Sequence, residues 1–552
     1  MIRIRRRPTR RLVVLSALTG VLLLGSAFTN SYFEVSKNLE IFTGLYQQLN
    51  TYYVDDTQPG ELMKTGIDAM LKSLDPYTVY YPETRIEDFR FQTTGVYGGI
   101  GALVLTRKDR IIITEPREGY AAAKAGLLAG DEILEVDGKS VVGRNQEEMS
   151  GILKGTAGSE INLKIKRPGQ ETTLDFTFER EEVKVKDVPY AGMLDETTGY
   201  VSLRKFTKTA SSEVRKAIKD LEGQGMQRLV FDLRGNGGGL LREAINIVNF
   251  FVPKGTEIVS TRGKLEEWNR TYTALNEPIL PDMPVVVLID GSSASASEIV
   301  SGSLQDLDRA VVIGKRSFGK GLVQQTKDVA YNSKLKLTVA KYYTPSGRCI
   351  QKLDYSNKVD GIVGEVPDSL IQSFTTTSGR KVFDGRGVDP DVPVDYDESI
   401  NIIGGLLSND ILFDFATDYR LSHDSITDAE TFGLSDAEYA DFVAYANAQD
   451  FEYNTETEAL FAQLEKVADR ERYKEGAEAQ FAALREGITP RKSEDLEKFK
   501  LEIRELLESE IASRYYFQTG RIQANLEADP VMDAALNTLN TNYADILVGP
   551  GK

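Results

Sequence analysis

Residues 291–321, GSSASASEIVSGSLQDLDRAVVIGKRSFGKG, hold four serines in their first seven positions and, near the end, a lysine between two glycines. A serine hydroxyl is a weak nucleophile until a base takes its proton. The chain has one histidine, His423, far along the sequence beside Asp424, and no G-x-S-x-G turn. A Ser-His-Asp triad is therefore disfavoured, and lysine is the base that remains. Lysine serves when burial disfavours its charged form. Lys320 meets that need in outline: Gly319 and Gly321 permit close backbone packing, and Phe318 is an apolar neighbour expected to help exclude water. The Ser-Ala-Ser-Ala-Ser run at 293–297 follows an apolar strand and precedes Glu298-Ile299-Val300, so a serine there opens a helix at the positive end of its dipole. Spacing alone fits equally well serines that only cap a helix and a solvated loop lysine.

Other readings of these motifs fail on particular residues. Gly314 through Lys320 nearly spells a phosphate loop, but Gly321 stands where a magnesium-binding hydroxyl belongs, and β-type Leu322-Val323 follow. The run from Gly235 to Leu240 lacks the third small residue of a dinucleotide fingerprint. Ser317 with Lys320, and Ser378 with Lys381, fit S-x-x-K, yet neither opens an evident helix. No metal and no cofactor is expected.

These residues must be positioned by several folded units, since 552 residues exceed what one core organises. Residues 31–90 show helical spacing in Leu39, Phe42, Leu45, Tyr46 and Leu49, and again in Leu62, Ile67, Met70 and Leu71. Residues 91–182 change to short β-type runs punctuated by glycine, with a Gly130-Asp131 turn and an Asp137-Gly138 turn. Residues 183–400 repeat a strand, glycine turn and helix, which predicts an α/β layer with working loops at the carboxyl ends of its strands. Residues 401–552 are acidic and helical, with an apolar stripe through Leu496, Phe499, Ile503, Leu506 and Leu507, and read as an appendage for packing or partners without visible chemistry.

Charge and composition bound the partners. With 66 basic and 83 acidic side chains the net charge is −17, which argues against nucleic acid as a partner. The single cysteine, Cys349, excludes an intrachain disulfide. Six arginines among residues 1–11 precede an apolar run at 12–28, the order read by secretion machinery. A cleaved signal peptide and a retained membrane anchor both fit, and Gly25-Ser26-Ala27-Phe28, a poor cleavage site, favours the anchor. The rest of the chain is then expected in the periplasm, held at the inner membrane.

Residues 91–182 resemble a PDZ domain. Amides around Gly98, Gly99, Ile100 and Gly101 are expected to form a nest for a terminal carboxylate beside a strand edge that pairs with a peptide. In addition, Ser293 through Glu298, Gln305-Asp306, Phe318 through Gln325, Ser73-Leu74-Asp75-Pro76-Tyr77, Asp232 through Gly239, Tyr343 through Arg348 and Gly387 through Asp391 are similar to the C-terminal processing (tail-specific) peptidases. That resemblance spans residues 40–395. It implies an α/β multidomain chain, in which the PDZ-like module precedes a ClpP/crotonase-like serine peptidase core flanked by helical N- and C-terminal regions. It implies Ser295 as nucleophile, Lys320 as base and Gln324 orienting the lysine, with an oxyanion hole from the amides of Ala296 and Gly239. Asp306 belongs to the family pattern, but eleven residues of helix, about 16 Å, separate it from Ser295, so an ion-pair or helix-end role is expected. The implied partners are proteins or peptides with free C-termini, and a homo-oligomer. The alternative is a catalytically silent PDZ adaptor.

Overall fold

In the α/β layer the central strand is apolar along its whole length, because both of its faces are covered. Val285–Ile289 is buried at every position, as expected of a parallel sheet between helical layers. The computed structural model describes residues 32–107, 109–359, 361–395, 400–526 and 529–548. The segment 12–28, expected as an anchor, lies outside the described residues, and among those described no helix is long and apolar enough to cross a membrane.

The chain divides into two units after Tyr80. The first contains helix α1 (32–52) and helix α2 (Pro59–Lys72), which opens with proline at its first turn, where the missing N–H costs nothing. After α2 the Asp75 carboxylate accepts the N–H groups of Tyr77 and Thr78, each at 2.8 Å, and fixes the Asp-Pro-Tyr turn.

The second unit begins with helix α3 (Ile86–Thr94) and a β-rich module. Strand β1 (Val96–Gly99) pairs with β7 (Glu181–Lys184), and β2 (Ala102–Arg107), β3 (Arg110–Pro116), β4 (Glu132–Val136), β5 (Glu160–Lys166) and β6 (Leu174–Glu179) form an antiparallel sheet in that order, with helices α4 (Ala121–Lys124) and α5 (Gln146–Leu153). In β5 the side chains of Ile161, Leu163 and Ile165 alternate into the core and meet Ile111, Ile113, Leu127 and Ile133. Asp137 (φ 50°) and Gly138 (φ 73°) make the tight turn after β4, where two positive φ values are required.

The α/β layer is a six-stranded sheet, β8 (Tyr190–Met193), β9 (Thr198–Ser202), β10 (Arg228–Asp232), β13 (Val285–Ile289), β14 (Val311–Gly314) and β17 (Val392–Pro393), parallel from β9 onward. One face packs on α6 (Ala210–Glu222), α7 (Leu241–Val248) and α8 (Ala296–Asp306). Beside it a second, antiparallel sheet pairs β12 (Arg270–Thr273) with β11 (Glu257–Gly263), β11 with β16 (Lys334–Tyr343), and β16 with β15 (Leu322–Asp328). The other face of the parallel sheet is covered from the C-terminal region. After α9 (Asn401–Ser408), α10 (Ile411–Ser422) and the long α11 (Lys500–Ala524), helix α12 (Pro530–Thr541) sets Val531, Met532 and Ala535 on Tyr200, Val230, Val286 and Leu288. The C-terminal helices are thus more than an appendage: α12 completes the layer that carries the site. Leu496, Ile503 and Leu507 of the expected stripe are buried in a separate helical core, with Phe499 and Leu506 packed against it.

Candidate active site

Strands β10 and β13 are neighbours, and their carboxyl ends deliver two loops to one place, residues 233–240 and 290–295. The Asp290 carboxylate accepts the Gly235 N–H from the first loop and the Ser292 and Ser293 N–H groups from the second, which locks them together. Within the serine run the hydroxyls then separate. Ser293 Oγ donates to the Leu233 carbonyl at 2.9 Å and Ser297 Oγ to the Asn236 carbonyl at 2.8 Å, and both residues are fully buried. Ser292 is exposed. Ser295 lines a cleft of about 430 Å³. Its backbone is strained, with φ 57° and ψ −110°, a region that serine adopts only where its surroundings impose it. The imposition is visible: Gly238 lies so close that a side chain there would stand 2.6 Å from the Ala294 carbonyl oxygen and 2.9 Å from the Ala296 nitrogen.

Ser295 caps the N-terminus of α8, and three residues on, Glu298 is completely buried. Glu298 Oε2 accepts the Ser295 N–H at 2.7 Å and the Lys320 N–H at 2.9 Å; Oε1 accepts the Ser317 hydroxyl at 2.5 Å and the Gly319 N–H at 2.7 Å. One carboxylate oxygen therefore ties the backbone of the serine to that of the lysine. Burial pushes the Glu298 pKa above its ordinary value, against the opposing pull of its four donors. The two glycines beside Lys320 act as expected, since side chains there would strike Lys352 and Gln351. Phe318 does not shield the lysine: it is 44% exposed, and Leu322, Val323 and Tyr342 line the cleft instead.

Lys320, Gln324, Ala296 and Gly239 line the same cleft as Ser295. Gln324 Nε2 donates to Thr338 Oγ1 at 3.2 Å. The Gly238 amide is taken by Asn236 Oδ1 at 2.9 Å, whereas among the described residues the Gly239 amide has no partner. Ala296 occupies the first turn of α8, where amides lack helical partners. Asp306 ends the same helix, outside the cleft, and pairs with the buried Arg348 at 2.9 Å. His423 stacks on Tyr419 at the end of α10 and does not line the cleft. In the β-rich module the carbonyls of Gly98, Ile100 and Gly101 accept the N–H groups of Gly155, Ala122 and Arg117, and Gly99 bridges Lys154. Gly101 (φ 73°) turns the chain into the edge strand β2, whose Val104 carbonyl and Thr106 N–H are both bonded to the Gln146 side chain.

Sequence reasoning passed over three groups: Glu298, Asn236 and the ion pair behind the glycine loop. Only the first had a local signal, the Ser-x-x-Glu spacing of a helix cap. In the ion pair the Arg234 guanidinium donates to the buried Asp232 at 2.9 Å and lies 2.6 Å from Asp529, which caps α12. Burial alone would raise the Asp232 pKa, but Arg234 and Arg204 hold it below the usual carboxylate value. The C-terminal helix thus steadies the residue that enters the glycine loop. Asp529→Asn is expected to lower kcat about tenfold with KM little changed, and to lower stability by about 1–2 kcal/mol. Steady-state kinetics and thermal melts check this, and wild-type values for both would refute it.

Comparison with known families assigns regions to this architecture. A family model described as peptidase family S41 matches residues 197–360, one described as a PDZ domain matches 112–167, and one described as the probable PDZ-protease C-terminal helical domain matches 402–539. The carboxy-terminal-processing protease of Bartonella bacilliformis is 39% identical over 356 residues, covering 64% of this chain and 79% of that protein. A probable CtpA-like serine protease of Staphylococcus aureus is 33% identical over 371 residues, covering 66% of this chain and 67% of the relative. Among solved structures, the photosystem II D1 C-terminal processing protease is 28% identical and covers 64% of this chain and 92% of its own, with a TM-score of 0.35.

Proposed function

Since this chain belongs to the carboxy-terminal processing proteases of peptidase family S41, serine-type peptidases with a PDZ domain, we propose that it cleaves polypeptide tails with a Ser295-Lys320 dyad through an acyl-enzyme. An uncharged Lys320 amine takes the proton from Ser295 Oγ as the oxygen attacks the scissile carbonyl. The amides of Ala296 and Gly239 receive the oxyanion, and the Lys320 ammonium returns its proton to the leaving amine. Water, deprotonated by the same amine, then attacks the Ser295 ester; the acyl C–Oγ bond breaks, the Lys320 ammonium returns the proton to Ser295 Oγ, and the second product leaves as its carboxylic acid. Gln324 orients the amine, while Asp306 holds the far end of α8 and takes no part in proton transfer. Each proton transfer supplies ~10²–10⁴-fold and each oxyanion donor ~10²–10³-fold.

The observation that carries this reading is the shared oxygen of Glu298, which accepts the amides of residues 295 and 320 at once. The PDZ domain is assigned the capture of the tail: the terminal carboxylate by amides of the segment Gly98 to Gly101, where β1 ends, and the preceding residues by the edge of β2, from which the Gln146 side chain must be displaced. Location outside the cytoplasm, anchored by residues 12–28, and self-association belong to the same proposal.

The acyl-enzyme is testable directly. Rapid acid quench of protein mixed with an excess of tail peptide is expected to leave a mass adduct equal to the acyl half of the peptide, on the fragment containing Ser295. Cleavage without any adduct on that fragment, at a quench time shorter than one turnover, would remove the covalent step.

A further inference from the structure

The net charge of the protein is strongly negative, yet among the described residues no carboxylate lines the catalytic cleft; Glu298 lies completely buried behind it, with both oxygens taken by amide and hydroxyl donors. The charged lining of the cleft consists of Arg204, Lys205, Lys320 and Lys336, whereas every other cavity described has Asp or Glu in its wall. Two of these cations have assigned work: Lys320 is the proposed base, and Arg204 donates to the Arg234 carbonyl behind the glycine loop. The other two do not. Lys205 is exposed at the mouth, with its ammonium 4.8 Å from the centre of the Phe91 ring. Lys336 is half-buried on β16, and neither makes an ion pair among the described residues. A desolvated ammonium without a counter-charge is costly, and burial with no opposing carboxylate lowers the Lys336 pKa.

Position along the strand fixes what Lys336 can reach. Thr338, the partner of Gln324, and Lys336, the partner of Thr326, are two residues apart on β16. Their side chains therefore share one face, about 7 Å apart. An extended polypeptide advances about 3.3 Å per residue, so a substrate laid from Ser295 past Gln324 meets Lys336 about two residues after it passes the Gln324 and Thr338 pair.

We propose that Lys336, with Lys205 at the mouth, forms an anion subsite that selects substrates carrying a carboxylate within about three residues of the scissile bond. This rests on the cleft being the peptidase site described above. The carboxylate has two possible sources, an Asp or Glu side chain or the terminal carboxylate of a tail cut close to its end. Either restores the missing counter-charge through charge-assisted hydrogen bonds, which are worth about tenfold to a hundredfold in affinity.

The test uses the full chain and matched fluorogenic peptides that differ by Asp or Glu against Asn or Gln at each of three positions on either side of the cut, each with a free or amidated end. Wild type is expected to favour the acidic member at one or two positions by about tenfold or more in kcat/KM, and the preference should shrink as salt screens it. That ratio should fall toward one in Lys336→Gln and in Lys205→Gln/Lys336→Gln, and Lys336→Glu should favour a lysine-containing peptide. Dependence on the side chain identifies an acidic residue as the source, and dependence on amidation alone identifies the chain terminus. A wild-type ratio of one throughout, or a ratio kept in the double variant, overturns the subsite. Anisotropy with the labelled peptides and Ser295→Ala protein gives the same comparison without turnover. A failure of the dyad, seen as cleavage by Ser295→Ala, is therefore distinguishable from a failure of the subsite.

Discussion

Ser295→Ala is expected to lose about 10⁴-fold or more in kcat/KM while still binding a labelled tail peptide with wild-type affinity. Ser293 and Ser297 spend their hydroxyls on carbonyls of the glycine loop, and only Ser295 among the three opens on the cleft that contains Lys320. Removing Oγ leaves the strained backbone, the Glu298 contact and the PDZ domain in place, so fold and binding should survive. Lys320→Arg should be equally inactive, because guanidinium does not give up its proton near neutrality. Ser292→Ala, on the same turn but facing solvent, is the control. Hydrolysis of a quenched peptide, with anisotropy on the same samples, decides it: Ser295→Ala turning over within tenfold of wild type would end the dyad assignment.

Glu298→Gln is expected to lower kcat by about 10² while leaving the protein folded. The carboxylate holds four donors with two oxygens, and an amide replaces one acceptor by a donor that must face an N–H or O–H. Either the Ser295 and Lys320 pair or the Ser317 and Gly319 pair is then released, and a displacement of about 1 Å between reacting groups costs about 10²-fold. The pH dependence has a definite sign. Burial raises the Glu298 pKa in the folded state above its unfolded value, so the folded chain takes up this proton more readily than the unfolded one. Stability linked to this group is fully present below the unfolded pKa and is lost as pH rises through the folded pKa. Acidification through that interval should therefore remove activity without melting the protein. Wild-type activity should fall on acidification in step with Glu298 titration while circular dichroism stays constant, and Glu298→Gln should lack that titration step. A Gln variant within twofold of wild-type kcat would show that the shared oxygen does not govern the site.

Much of the architecture is legible in the sequence. The lack of a usable histidine pointed to lysine, and Gly319 and Gly321 marked the close packing around it. The Asp137-Gly138 turn and the alternating Ile161, Leu163 and Ile165 gave the β-rich module its register. Phe318 shows the limit of such inference: an apolar residue near a lysine was expected to shield it, yet its side chain faces solvent because the loop is pinned by the Ser317 and Gly319 contacts to Glu298.

The amino-acid order by itself determined the α/β layer with its loops at the strand ends and the helical C-terminal region, because these follow from residue types and short-range periodicity. The family resemblance implied Ser295, but only the folded chain decided that its neighbours Ser293 and Ser297 are buried while it lines the cleft, that Glu298 links it to Lys320, and that α12 and Asp529 complete the layer behind the glycine loop. The reason is that each of these depends on partners separated from it by tens to hundreds of residues. A hydroxyl or carboxylate takes its role from the donors and acceptors that the crossing of strands and helices brings to it, and no local pattern records them.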